Sequence, residues 1–205
     1  MLTTVYLIAI TAEAMSGALA AGRRNMDAFG VAVIAFVTAL GGGTIRDMIL
    51  GHFPINWTQH PSYIYLVIGA GLITPILARL MHHLKVVFLV LDAMGLVAFS
   101  LIGCEVALKM DYATPVVIMA GMITGIFGGI LRDVLCNRVP LVFRQEIYAS
   151  VSLVVCMLYL GLQQYGGLDH DVATLVSFAV GLGLRLLAIW RSWKLPTFSY
   201  QQRWD

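Results

Sequence analysis

The residues able to do chemistry stand in two copies of one pattern. Gly41-Gly42-Gly43-Thr44-Ile45-Arg46-Asp47-Met48-Ile49-Leu50-Gly51 closes a long apolar run. Gly128-Gly129-Ile130-Leu131-Arg132-Asp133-Val134-Leu135 returns the glycines, the arginine and the aspartate at a constant offset of 86. Pro54 and Pro140 keep that offset. Glycines inside an apolar run let a helix bend or a second backbone come close, and charges at membrane depth usually line a polar path. The repeated pattern therefore predicts a polar path through a membrane.

Each residue carries an expectation. Gly41, Gly42 and Gly43, just past the middle of their run, are read as a bend that exposes backbone carbonyls to water, with Gly128 and Gly129 doing the same in the second copy. Close packing of helices through small residues is the alternative. Arg46 and Asp47 are adjacent, about 100° apart on a helix, so the spacing predicts that they do not pair with each other. The same holds for Arg132 and Asp133. Their partners are then expected on other helices, on freed carbonyls, on lipid phosphates or on a transported solute. Anchoring of helix ends at the membrane surface is the other possibility. Glu13, near the middle of the first apolar run, is expected to pair with an arginine, to draw cations into the path, or to sit protonated and inert. Asp92, about one turn into its run, is read either as a second deep ionisable group or, at least as readily, as an interfacial residue. Thr44 and Thr124 are expected to hydrogen-bond their own helices. Pro75 is expected to bend or end its segment.

The elements that must position these residues follow from composition. Of 205 residues, 60% are hydrophobic and 12% charged, with a mean hydropathy of +0.86. Soluble domains carry about 25% charged residues, so this surface does not face water. A net charge of +2, with the basic residues scattered between apolar runs, gives nucleic-acid binding little support. Cys104, Cys136 and Cys156 lie in or beside apolar runs at no metal-ligand spacing and read as small hydrophobes. No hydrolytic triad or metal cluster appears. The glycine stretch lacks the lysine-serine/threonine ending of a nucleotide loop, so an enzyme is not expected. The first 22 residues have no basic start and are interrupted by Glu13, which predicts a membrane span rather than a signal peptide.

Seven apolar segments, at about 2–22, 28–50, 62–80, 86–108, 113–136, 146–164 and 171–191, each approach the roughly 20 residues a bilayer requires. The expected fold is an all-α polytopic membrane protein. It has two three-helix repeats, about 2–80 and 86–164, a seventh helix at 171–191 and a cytoplasmic tail at 192–205, in a single membrane domain. An odd number of spans per repeat inverts the second against the first, placing the polar path at their interface. Eleven basic residues would then lie inside and only Arg46 and Lys109 outside. That predicts an external N-terminus and a cytoplasmic C-terminus in the cell (inner) membrane. Trp57, Tyr63, Tyr65, Trp190 and Trp193 flank segments as an interfacial aromatic belt does.

Over about residues 5–190 the double motif resembles the bacterial membrane family labelled a glycine-transporter domain, which is related to the trimeric intracellular cation channels. The resemblance implies seven helices, a homotrimer and an hourglass pathway in each subunit. It also implies kinked second and fifth helices that place Gly41, Gly42, Gly43, Arg46, Gly128, Gly129 and Arg132 on the path. Phe127 stands where the second copy lacks the first glycine, which implies a shallower bend there. Two activities fit: a passive channel for monovalent cations, chiefly potassium, or a transporter of a small zwitterion such as glycine. In the transporter, Arg46 or Arg132 would hold the carboxylate. The channel is the preferred expectation, because a fixed pore needs fewer parts. No resident cofactor is expected; the ligands are the transported cation and anionic or other membrane lipids.

Overall fold

The computed structural model describes residues 2–80, 83–144, 147–164, 166–191 and 193. The tail expected over 192–205 lies outside the described residues, Trp193 apart. The described residues form nine helices and no strand. They are α1 (Leu2–Gly22), α2 (Ala28–Leu50), α3 (Asn56–Gln59), α4 (Ser62–Ala78), α5 (Leu84–Lys109), α6 (Thr114–Leu135), α7 (Leu141–Arg144), α8 (Tyr148–Gln164) and α9 (His170–Arg191). Seven of them match the apolar segments to within two residues. The others, α3 and α7, are single turns in the loops after the two glycine motifs, and nothing in the apolar pattern announced them.

Five helices, α1, α2, α5, α6 and α9, are long and apolar enough to cross a membrane. The shorter α4 and α8 have 17 residues each. At about 1.5 Å per residue they reach some 25 Å, a turn short of a 30 Å hydrocarbon core. Pro75 lies within α4, which ends one turn later. Helix ends carry recognisable stops. Asp27 Oδ1 accepts from the Gly30 N–H at 2.7 Å to open α2, and Gly51, with φ of 68°, closes it by donating to Asp47 O. A left-handed φ carries no Cβ penalty at glycine.

The molecule is apolar on its outer surface. Phe29, Tyr65, Leu80 and Trp190 are each more than 75% exposed, and Ile73, Ile76 and Leu175 are also exposed. The polar side chains lie inside: Glu13, Arg46, Asp47, Asp92, Arg132, Asp133 and Arg185 are all buried. Lipid, not water, is the solvent that makes this distribution favourable. The chain is a membrane protein.

At the centre α2 packs on α6, with α1 and α5 on either flank. A Cβ added to Gly42 would strike the carbonyl oxygen of Thr124, and one added to Gly128 would strike that of Thr38. Both contacts join positions related by the same offset of 86. The flanks repeat this reciprocity, with Gly17 against Thr38 Oγ1 and Gly103 against Thr124 Oγ1. Lipid is as apolar as leucine, so helices in a membrane associate mainly through such close packing of small residues. Thr38 and Thr124 return their hydroxyls to Ile34 O and Ala120 O at 2.6 Å, leaving smooth helix faces for the glycines.

Candidate functional site

Each glycine helix carries its Arg-Asp pair one turn beyond the crossing, and each pair is buried. Arg46 Nη2 and Nε donate to Asp47 Oδ1 at 2.7 and 3.0 Å. Arg132 Nε donates to Asp133 Oδ1 at 2.9 Å. The expectation that adjacent residues cannot pair is therefore corrected. The guanidinium sits on a long flexible stem and folds back around the helix to the next carboxylate, so the 100° separation of the Cβ atoms does not limit it. Nor does either pair lie open at a surface, since Arg46 and Arg132 are 3% and 0% exposed.

The aspartates do a second task. Asp47 Oδ2 accepts the Asn56 N–H of α3 at 3.4 Å, and Asp133 Oδ2 accepts the Leu141 N–H of α7 at 2.9 Å. Each short helix is thereby tied by its first N–H groups to the carboxylate of the preceding motif, where negative charge is favourable. His52 Nδ1 lies 3.1 Å from Asp47 Oδ1. The loop turns thus hold the aspartates, and the aspartates hold the arginines.

The two ends then differ. At Arg46 a small cavity of about 10 Å³ is lined by Tyr6, Gly43, Thr44, Asp47, Trp57 and Phe99, among others. That volume is on the order of what one water needs. Trp57 Nε1 donates to Thr44 Oγ1 at 3.0 Å, and its ring packs edge-on to Phe36. Trp57 therefore walls the cavity, a place the belt assignment did not foresee.

At Arg132 the neighbours are ionic. Nη1 donates to Asp92 Oδ1 and Ser16 Oγ, both at 2.7 Å, and lies 4.0 Å from Glu13 Oε2. Asp92 is 0% exposed, so of its two readings the one that counts it among the buried ionisable groups is the one its surroundings favour: it lies two turns into α5, which packs against α1, α6 and α8. The guanidinium of Arg132 lies over the Phe88 ring at 4.7 Å, and that of exposed Arg23 lies 5.0 Å from the same ring. Phe88 thus stands between the surface and the buried cluster. Arg185 of α9 lies 4.6 Å over the ring of buried Tyr148.

Among the glycines the structure separates functions. Gly42 and Gly128 make the helix crossing. A Cβ added to Gly41 would meet a movable Leu131 methyl at 2.8 Å. A Cβ added to Gly43 would meet only Arg46 Nη2, at 3.9 Å, and one added to Gly129 would meet Tyr148 Oη, Arg132 Nη2 and Asp92 Oδ1 at 3.2, 3.6 and 3.9 Å. Both helices stay α-helical through these positions. Ser16, Phe88 and Tyr148 are site residues that sequence reasoning did not name, while Trp57 was read only as part of the aromatic belt and Asp92 was left between two roles. For Asp92 a signal existed, since an ionisable residue within an apolar run is by default suspect. Among the described residues no group of three or more His, Cys, Asp or Glu is arranged to hold a metal ion.

Comparison with known proteins agrees with this architecture. The model of the family described as Glycine transporter matches twice, over residues 3–79 and 89–164. The inner membrane protein YadS of Escherichia coli strain K12 is 38% identical over 190 residues, 92% of each chain. The TRIC trimeric intracellular cation channel orthologue from Rhodobacter sphaeroides superposes with a TM-score of 0.89 at 31% identity, covering 94% of this chain and 98% of that one. A second solved TRIC cation channel gives 0.87 at 34% identity over 98% of both chains. These relatives are membrane and channel proteins, not enzymes.

Proposed function

The chain belongs to the Glycine transporter family, and from that premise we propose that it is a passive channel for monovalent cations, chiefly potassium. The observation that carries the reading is the reciprocal α2/α6 crossing with one buried Arg-Asp pair beyond each end. The likeness to solved cation channels, at 31–34% identity and over nearly the whole chain, supports it. The path runs along α2 and α6, past Gly43 and Arg46 at one end and Gly129 and Arg132 at the other. The seven longer helices form two inverted three-helix repeats plus α9, in the inner membrane, with the N-terminus outside. The subunits assemble as a homotrimer with one path each, by similarity to a protein described as trimeric.

On this reading the path is closed beside Arg46. A cavity of about 10 Å³ beside Arg46 does not admit a hydrated ion. Opening requires the Arg46 side chain to move from the cavity, with Asp47 following or taking another donor. The arginines are tolerable in a cation path because Asp47 neutralises one and Asp133, Asp92 and Glu13 surround the other.

The family description favours one second reading, a glycine transporter in which a guanidinium holds the substrate carboxylate. Purified protein in a planar bilayer under a potassium chloride gradient separates the two. Unitary currents reversing near the potassium potential support the channel. A silent bilayer with saturable glycine uptake into liposomes from the same preparation replaces it with the transporter.

A further inference from the structure

At the Arg46 end one carboxylate oxygen serves three donors. Asp47 Oδ1 accepts from Arg46 Nη2 at 2.7 Å, from Arg46 Nε at 3.0 Å and from His52 Nδ1 at 3.1 Å. Oδ2 takes only the Asn56 N–H, at 3.4 Å. A carboxylate offers about four lone-pair sites over its two oxygens, so Arg46 and His52 compete for one atom. An ionised carboxylate only accepts, so the ring donates from Nδ1 and Nε2 is the nitrogen left to take up a proton. The Asp47 side chain is buried, whereas the His52 ring, in the loop after α2, is 36% exposed. Solvent protons therefore reach one partner of the bond and not the other.

Charge decides what such a proton does. With the ring neutral, Arg46 and Asp47 cancel. A charged ring puts two cations on one buried carboxylate. At the offset of 86, the counterparts of Glu13, Ser16 and Asp92 are Phe99, Ile102 and Tyr6, all of which line the Arg46 cavity and none of which is an acid. The other titratable groups at this end are phenols, Tyr6 of α1, Tyr63 of α4 and Tyr112 of the α5–α6 turn, with the exposed Asp111 and His60. Glu105, Lys109 and His170 pair among themselves between α5 and α9.

The second copy supplies the contrast. Arg138, a permanent cation, stands at the offset of His52. In that copy Arg132 keeps Asp92 at 2.7 Å as well as Asp133 at 2.9 Å. The copy with the fixed cation thus gives its buried arginine two aspartates, and the copy with the histidine gives it one.

We propose that His52 is a proton-operated release for Arg46. Uptake of a proton at Nε2 strengthens the Nδ1–H bond to Asp47 Oδ1 and sets a second positive charge beside the guanidinium. Arg46 loses its hold on that oxygen and leaves the cavity wall, and the path widens there. Histidine is the side chain whose ordinary charge change falls between about pH 5 and 8, so acid opens this end. The release rests on the reading of the Arg46 cavity as the closed part of a cation path. His52 is a positioning residue, acting through Asp47.

The test is single-channel recording of the purified full chain in planar bilayers at about pH 8 and about pH 5. Open probability of the wild type should rise at least about fivefold on acidification. His52→Asn keeps an uncharged donor near the place of Nδ1 and should abolish the rise. His52→Arg, a permanent cation as in the second copy, should be as open at the higher pH as the wild type is at the lower. His60→Asn, at an exposed histidine between α3 and α4, should leave the response intact. An open probability that stays level or falls in acid overturns the release, as does a rise that survives His52→Asn or an Arg variant as closed as the wild type. A second readout needs no current. In a chain keeping only Trp57, which shares the Arg46 cavity, with phenylalanine at Trp190, Trp193 and Trp204, the emission should shift between the two pH values and His52→Asn should hold it fixed. An emission unmoved by acid overturns the displacement of Arg46 even where currents respond. A silent bilayer sinks the channel alone; the Trp57 emission then decides the release, kept by a shift that depends on His52 and overturned without one.

Discussion

Alanine placed at each glycine of the first motif should separate packing from flexibility. In a helix interior, glycine is about 1 kcal/mol less favourable than alanine, so a glycine kept only for flexibility yields stability when replaced. At Gly43 the added Cβ meets nothing nearer than Arg46 Nη2 at 3.9 Å, an ordinary contact. Gly43→Ala should therefore stabilise by up to about 1 kcal/mol. At Gly41 the obstacle is the end of Leu131, at 2.8 Å, which can rotate away, so the two effects nearly cancel. At Gly42 the obstacle is the Thr124 carbonyl, which is backbone and cannot move alone. The α2/α6 crossing must open, and overpacking of this kind costs about 1–3 kcal/mol, at the upper end here. After the gain in propensity, Gly42→Ala should destabilise by about 2 kcal/mol, a fall in Tm of roughly 4–8 °C for a chain of this size. Gly128→Ala meets Thr38 O in the same way and should match it. Because either change opens the same contact, the double variant should fall short of the sum by about 1 kcal/mol or more. Thermal unfolding in detergent, followed by tryptophan fluorescence, reads all five proteins. Equal Tm changes at Gly41, Gly42 and Gly43, or strict additivity of Gly42 and Gly128, would refute the packing argument and return the motif to a hinge.

Other consequences follow from the ion pairs and loops. Arg46→Ala leaves the buried Asp47 carboxylate with only His52 and the Asn56 N–H, and should destabilise by about 3–5 kcal/mol; a Tm within 2 °C of wild type, by the about 2–4 °C per kcal/mol conversion, would contradict it. Arg24 donates from Nε to Cys136 O at 2.7 Å and from Nη2 to Asn137 O, closing the exposed end of α6 from the α1–α2 turn. Arg24→Ala should cost about 1–2 kcal/mol and speed hydrogen exchange at the end of α6 while leaving α2 unchanged. Trp57→Phe removes the hydrogen bond to Thr44 while keeping most of the wall. It should lower stability by about 1 kcal/mol and raise single-channel conductance or open probability, and an unchanged current would remove Trp57 from the path.

The sequence by itself determined the solvent and the repeat. Charge so sparse could only face lipid, and the apolar segments located seven helices to within two residues of where they lie. The constant offset named Gly42, Gly128, Arg46 and Arg132 as related positions before any contact was known, because duplicated residues keep their spacing whatever they touch. Tertiary structure alone decided what each one touches. That Gly42 meets the Thr124 carbonyl depends on how α2 crosses α6, which no local pattern encodes. That Arg132 pairs with its own neighbour, and also with Asp92 from 40 residues away, depends on a flexible stem and on helices brought together from different parts of the chain. The difference between the two ends was written as Glu13, Ser16 and Asp92 opposite Phe99, Ile102 and Tyr6. It became legible only once packing turned those side chains toward the two arginines, since a single carboxylate in an apolar run does not reveal which cation, or which partner carboxylate, it will face.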